Sequence, residues 1–234
     1  MPGKVLFVLS SHDQMLSGKP TGWYAPEAAH PYFAITKAGY SVDFASPSGN
    51  KAPLDPSSVE AFKDDPETKE FLNTPELFKQ TENTIKLEDV KASDYVAYFA
   101  VGGHGPVFDL TDNAVNQKLI LDFYESKKPT ASVCHGPTVF VNIKDSNGER
   151  FVKGKKVTCF SDEEEEMAGL TKEIPFLVEK ELRAAGADFQ LSRKPWGEEV
   201  VIDEKDGKIL LTGGNPASAS ALGSAVVKAI QARE

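Results

Sequence analysis

Only two cysteines occur in the 234 residues, Cys134 and Cys159, too few for a disulfide framework. A reducing, cytosolic setting is therefore the default expectation. Basic residues are scarce beside acidic ones, 26 against 35, for a net charge of −9. No block of Lys and Arg stands ready for a phosphate backbone, which argues against nucleic-acid and anionic-membrane partners. Long hydrophobic runs are absent, since nothing approaches the roughly 20 apolar residues of a membrane span. The short apolar run at Val5–Leu9 turns polar at Ser11-His-Asp13 and lacks the h-region and cleavage site of a signal peptide, so it reads as a first buried strand. The four histidines (His12, His30, His104 and His135) include no pair at metal-ligand spacing next to a cysteine. Neither a metal nor a cofactor is expected from that pattern.

What the chain does have is alternation. Short apolar runs at Val5–Leu9, Val42–Ala45, Tyr95–Val101, Thr130–Val133 and Lys156–Phe160 are separated by helical patterns such as Asn113–Ser126 and Ile174–Ala185. Val200–Asp203 and Lys208–Thr212 bracket a hairpin signal, and Ala217–Ala232 reads as a final helix. Strands separated by helices predict one α/β domain with a mostly parallel sheet covered on both faces. Ligands bind at the C-terminal strand ends of such sheets, so Gly102-Gly-His-Gly105 and Cys134 should share a rim. Residues 50–90 break the rhythm with Pro, Asp, Glu, Lys and Ser, and read equally as an inserted cap or a solvated excursion.

The most informative stretch is Ala131-Ser-Val-Cys-His-Gly-Pro137, an apolar strand that breaks abruptly. A strand turning sharply into a helix exposes the turn residue and aims it at unpaired backbone N–H groups, which favour a thiolate. Cys134 is therefore read as a nucleophile on an elbow, and Cys159 as a small buried hydrophobe. Side chains of neighbours at an elbow diverge, so His135 need not be a base bonded to the thiol; a carboxylate would fix it, with Asp162 the nearest plausible partner. Glu27 lies at the start of a helix that Pro31 should bend, and taken alone it is an ordinary dipole partner. Gly102–Gly105 is either a tight turn or a set of oxyanion donors, and its spacing matches no phosphate-binding loop. Glu163–Glu166 reads as a solvated face or a helix start.

Taken together, these pieces resemble the ThiJ/PfpI superfamily, and within it the fungal branch of glutathione-independent (class III) glyoxalases and heat-shock chaperones. The resemblance rests on Thr21-Gly with Glu27-Ala-x-His-Pro31, Gly103-His-Gly105 with Phe108-Asp109, Val133-Cys-His-Gly-Pro137, Gly154-Lys-Lys with Phe160-Ser-Asp162, Pro195-Trp196, and Thr212-Gly-x-Asn-Pro-x-Ser-Ala219. It spans nearly the whole chain. It implies a flavodoxin-like sandwich with a nucleophile at Cys134, His135 beside it, Glu27 close to the thiol, oxyanion donors around Gly103, His104 and His135, and Asp162 as the acid paired with the histidine. It further implies a cofactor-free conversion of a small 2-oxoaldehyde to lactate in a homodimer of the cytoplasm and nucleus. The rival functions are a holdase chaperone acting on unfolded clients or a redox sensor, a protein deglycase, and a cysteine amidase or peptidase. The run of glutamates after Asp162 and the bulky Trp23-Tyr-Ala-Pro26 lead-in depart from the pattern and bear on substrate range.

Overall fold

The computed structural model describes residues 3–233. Its first half runs β1 (Lys4–Val8), α1 (Ala25–Lys37), β2 (Ser41–Ser46), α2 (Pro56–Ala61), α3 (Pro66–Asn73), α4 (Pro75–Glu82), β3 (Ile85–Lys86), β4 (Ala97–Ala100), α5 (Gly105–Asp109) and α6 (Ala114–Glu125). The second half runs β5 (Thr130–Val133), β6 (Lys156–Val157), α7 (Asp162–Ala168), α8 (Val178–Ala184), β7 (Asp188–Phe189), β8 (Val200–Lys205), β9 (Lys208–Gly213) and α9 (Ala219–Gln231). Seven strands form the main sheet in the order β3-β2-β1-β4-β5-β9-β8. All neighbours are parallel except β8 and β9, a hairpin turned at Asp206-Gly207 with both residues at positive φ.

β1 shows why the sheet is covered on both sides. Val5 and Phe7 point to one face, where they pack with Ala28 and Phe33 of α1, Phe71 of α3, and Leu222 and Val226 of α9. Leu6 and Val8 point to the other, with Leu119, Ile120 and Phe123 of α6 and Leu182 of α8. A continuous apolar run is what a strand buried on both faces requires. α1 and α9 approach closely because Gly223 has no side chain: a Cβ there would stand 2.7 Å from Pro31 Cα. α1 continues through Pro31 to Lys37, so the proline does not end it.

Several local expectations are corrected. Lys156–Phe160 does not join the main sheet; only Lys156 and Val157 are strand, paired with β7 in a separate two-stranded sheet. The helix expected from Ile174 begins at Val178. The elbow leads into a 3₁₀ turn, Gly136–Phe140, rather than an α-helix. No described helix is long and apolar enough to cross a membrane. Within residues 50–90, Phe71 and Leu77 are core residues and β3 closes one edge of the sheet.

Candidate active site

β4, β5 and β9 end on the same rim. Cys134 follows β5 directly, with φ of 59°, a left-handed conformation that a non-glycine residue adopts only when its surroundings impose it. Two bonds impose it here: the Cys134 N–H donates to Gly213 O at 2.9 Å, and Phe160 N–H donates to Cys134 O at 2.9 Å. The strand-to-turn geometry is the elbow that the sequence predicts. The surroundings differ from those expected, because the thiol is only 4% exposed and faces acids.

Glu27 is the foremost of these. It sits in the first turn of α1, after Pro26, and its N–H donates to Tyr24 O. The Tyr24 N–H in turn donates to Gly102 O at 3.1 Å, which ties the start of α1 to the end of β4. Gly102 permits the convergence: a Cβ there would stand 2.2 Å from Glu27 Oε2 and 2.9 Å from Cys134 Cβ. The Glu27 carboxyl is wholly buried, and neither oxygen makes a hydrogen bond of ordinary geometry. Burial pushes this carboxyl well above its ordinary range; the Cys134 thiol and the Gly102 amide at its side offset only part of the rise. Cys134 is likewise pushed well up by burial and then by Glu27. Burial thus favours the protonated form of both acids, and in contact the two do not ionise together.

His135 turns toward the thiol instead of away from it, with Nδ1 3.3 Å from Cys134 Sγ. Its Nε2 bonds to a carboxylate, but that carboxylate is Glu165 Oε2, not Asp162. Asp162 is the first residue of α7; its N–H donates to Glu179, and its Oδ1 is buried without a partner. Glu165 lies three residues further on the same helix face and has one more methylene of reach. Of the two readings of Glu163–Glu166, the helix start holds, since α7 begins at Asp162, and the solvated face does not, because Glu164 and Glu165 are both buried. The missed signal is the Ser161-x-x-Glu164 capping box, which starts α7 and turns two of the four glutamates inward. Glu164 then accepts from Ser161, from the Trp196 N–H and from Asn215 Nδ2, clamping three segments beside the site.

His104 joins the same carboxylate. Its Nε2 lies 2.8 Å from Glu165 Oε1, and the two imidazoles stand 4.0 Å apart between centroids. Burial alone would raise the Glu165 carboxyl, but the His135 and His104 rings outweigh it and hold it well below the usual carboxylate range. Burial, and then His104, pushes His135 below its ordinary value. Phe160 lies over His135, and the half-exposed Trp196 packs edge-on against Phe160. Among the described residues, the N–H groups of Gly103 and His135 donate to no backbone carbonyl in the turns and loops. Cys159 is buried and its thiol donates to Phe160 O, as a structural cysteine would.

The donor atoms of His104, His135 and Glu165 lie within 4.8 Å of one another, the one such group among the described residues that suits a metal ion. The imidazole–carboxylate contacts are hydrogen bonds of 2.8 Å or less, whereas two nitrogen or oxygen ligands on a tetrahedral zinc stand roughly 3.3 Å apart. As they stand, these residues fit a proton-linked network better than a metal cage.

Residues 22–229 match the DJ-1/PfpI family. Glyoxalase 3 of Candida albicans is 33% identical over 97% of this chain and 98% of its own length. A glutathione-independent glyoxalase of Saccharomyces cerevisiae is 32% identical over 99% of this chain and 98% of its own. Among solved structures, glyoxalase III of Candida albicans superposes with a TM-score of 0.87 at 31% identity, covering 97% of each chain. The Francisella tularensis Rapid Encystment Protein superposes at 0.90 with 34% identity, covering 98% of this chain and 99% of that one. Full-length agreement in both sequence and fold leads to one conclusion: the chain belongs to the DJ-1/PfpI family.

Proposed function

We propose that the protein is a glutathione-independent glyoxalase that converts methylglyoxal and water to D-lactate without a cofactor. One observation carries this reading: a wholly buried glutamate lies against a thiol whose other side meets an imidazole. The Cys134 sulfur adds to the aldehyde carbon, its proton passes to His135 Nδ1, and His135 hands that proton to the aldehyde oxygen to give a hemithioacetal. Glu27 takes the hydrogen from that carbon, and the electron pair enters the bond to the neighbouring carbon as an enediolate. The Gly103 and His135 amides are the donors for its oxygen. Protonated Glu27 returns the proton to the neighbouring carbon, and transfer of the hydroxyl proton from the oxygen of the sulfur-bearing carbon to the neighbouring oxygen leaves a lactoyl thioester on Cys134. His135, steadied by Glu165, takes a proton from water; the hydroxide displaces the thiolate, which is reprotonated as lactate leaves.

Glu27 serves as base and then acid only if its carboxyl holds a proton more readily than an exposed one does, and burial acts in that direction. A closed site with a thiol 4% exposed suits a two- or three-carbon carbonyl better than a peptide or glycated protein. The Cys134–His135–Glu165 arrangement is also that of a cysteine amidase or peptidase. That reading has no use for Glu27, so glutathione-free lactate production by the wild type and its loss in Glu27→Gln separate the two. Residues 50–90 are proposed as the cap over this site: Ser58 accepts from the Ala25 N–H, and Asp55 from Thr21, on the segment leading into Glu27. The homodimer, the cytoplasmic and nuclear setting, and a holdase role toward unfolded clients rest on the family resemblance alone.

A further inference from the structure

Glu165 serves two histidines, and the proposed reaction uses only one. His104 comes from the turn after β4, His135 from the elbow after β5, and Glu165 from α7, so three separate elements converge on one carboxylate. Each oxygen accepts from one imidazole Nε2. Both rings are nearly excluded from water, at 8% and 2% exposure. We propose that His104 is a positioning residue, the fourth member of a chain Cys134–His135–Glu165–His104, which keeps His135 a neutral base by sharing the carboxylate that would otherwise hold it as a cation.

The physical basis is competition for one charge. A carboxylate facing one buried imidazole stabilises its protonated form, and the ring then has no lone pair to receive the thiol proton. A second N–H donor on the other oxygen draws off part of that charge. A proton on either ring opposes one on the other, since the centroids are 4.0 Å apart in a dry site. The Nε2–H of His135 is fixed toward Glu165, which leaves Nδ1 as the acceptor facing Sγ. Every charged or titratable group facing His135 takes part: Cys134 on the elbow, with Glu27 of α1 behind it, His104 from the turn after β4, and Glu165 and Glu164 from α7. Phe160 covers the ring and supplies no charge.

The inference rests on the glyoxalase reading only for its catalytic consequence, so the test begins without substrate. Nitrogen-15 imidazole spectra of the whole protein, which has four histidines, follow His135 through a pH titration. The expected result is a neutral Nε2–H tautomer in the wild type and a His135 midpoint about one pH unit higher in His104→Phe, a tenfold gain in proton affinity. Phenylalanine fills the same space without a donor for Glu165, whereas His104→Gln keeps an N–H donor and is expected to hold the midpoint near the wild-type value. An unchanged His135 midpoint in His104→Phe would overturn the proposal, even if that variant lost activity, because a merely structural role predicts that pattern. The acid limb of lactate production should move upward with the midpoint. A midpoint that moves while the limb stays would leave His104 as inferred and remove His135 from the rate-limiting chemistry.

Discussion

Glu27 is the side chain with the most to explain, since a fully buried carboxyl without a hydrogen-bond partner destabilises the fold that holds it. Its folded-state pKa lies above the unfolded value, so stability is lost as pH rises from the unfolded value near ~4.3 toward the folded one. Glu27→Gln has no such proton to retain. Its melting temperature at pH 7 is expected to equal or exceed that of the wild type, while methylglyoxal turnover falls by about 10²–10⁴-fold. A melt and an assay on the same preparation check both. Cys134 and His135 were legible in the sequence as an elbow pair, and Glu27 through the family resemblance. Glu165 was not read from the sequence, because its mark lies outside the run of glutamates, in the Ser161 capping box that sets the phase of the helix. Asp162→Asn is accordingly expected to keep turnover within about threefold, whereas Glu165→Gln loses about 10²-fold by leaving His135 unsteadied. Steady-state kinetics on the two variants decide which carboxylate belongs to the site.

At the level of elements, the site depends on how closely β4, β5 and α1 approach, and that approach depends on a missing side chain. Gly102→Ala would drive a methyl group into Glu27 Oε2 and Cys134 Cβ. A destabilisation of about 1–3 kcal/mol is expected, with a loss of turnover larger than the fold's loss of stability explains. Denaturant unfolding and kinetics measured side by side test this. Order along the chain made β1, β4, β5 and the β8–β9 hairpin legible, since each is an apolar run bounded by turn residues. The same reading failed at Lys156–Phe160, where a strand-like composition yields only a two-residue pairing with β7. Thr158 onward instead serves tertiary contacts: its N–H donates to the Thr212 hydroxyl, and Phe160 braces the elbow. Composition registers burial there, not partnership.

On the scale of the whole molecule, the parallel sheet and its two apolar faces followed from alternation, and the convergence on one rim followed from strand polarity. What alternation does not encode is the electrostatics of that rim, which collects Glu27, Glu164 and Glu165 around one thiol. Both cysteines are held above their ordinary value by burial, so the folded chain keeps protons that the unfolded chain releases above about pH 8.5. Stability is therefore expected to fall as pH rises through that value. Cys134→Ala should flatten the slope of melting temperature against pH over that range, and an equal slope in variant and wild type would contradict the assignment. The central claim is that Glu27 carries a proton between adjacent carbons of a substrate anchored on Cys134. Methylglyoxal turnover in deuterium oxide without glutathione, read by proton NMR, tests it most directly. The wild type is expected to give lactate with protium retained at its second carbon, and Glu27→Gln almost none. Lactate produced by Glu27→Gln at the wild-type rate would contradict it.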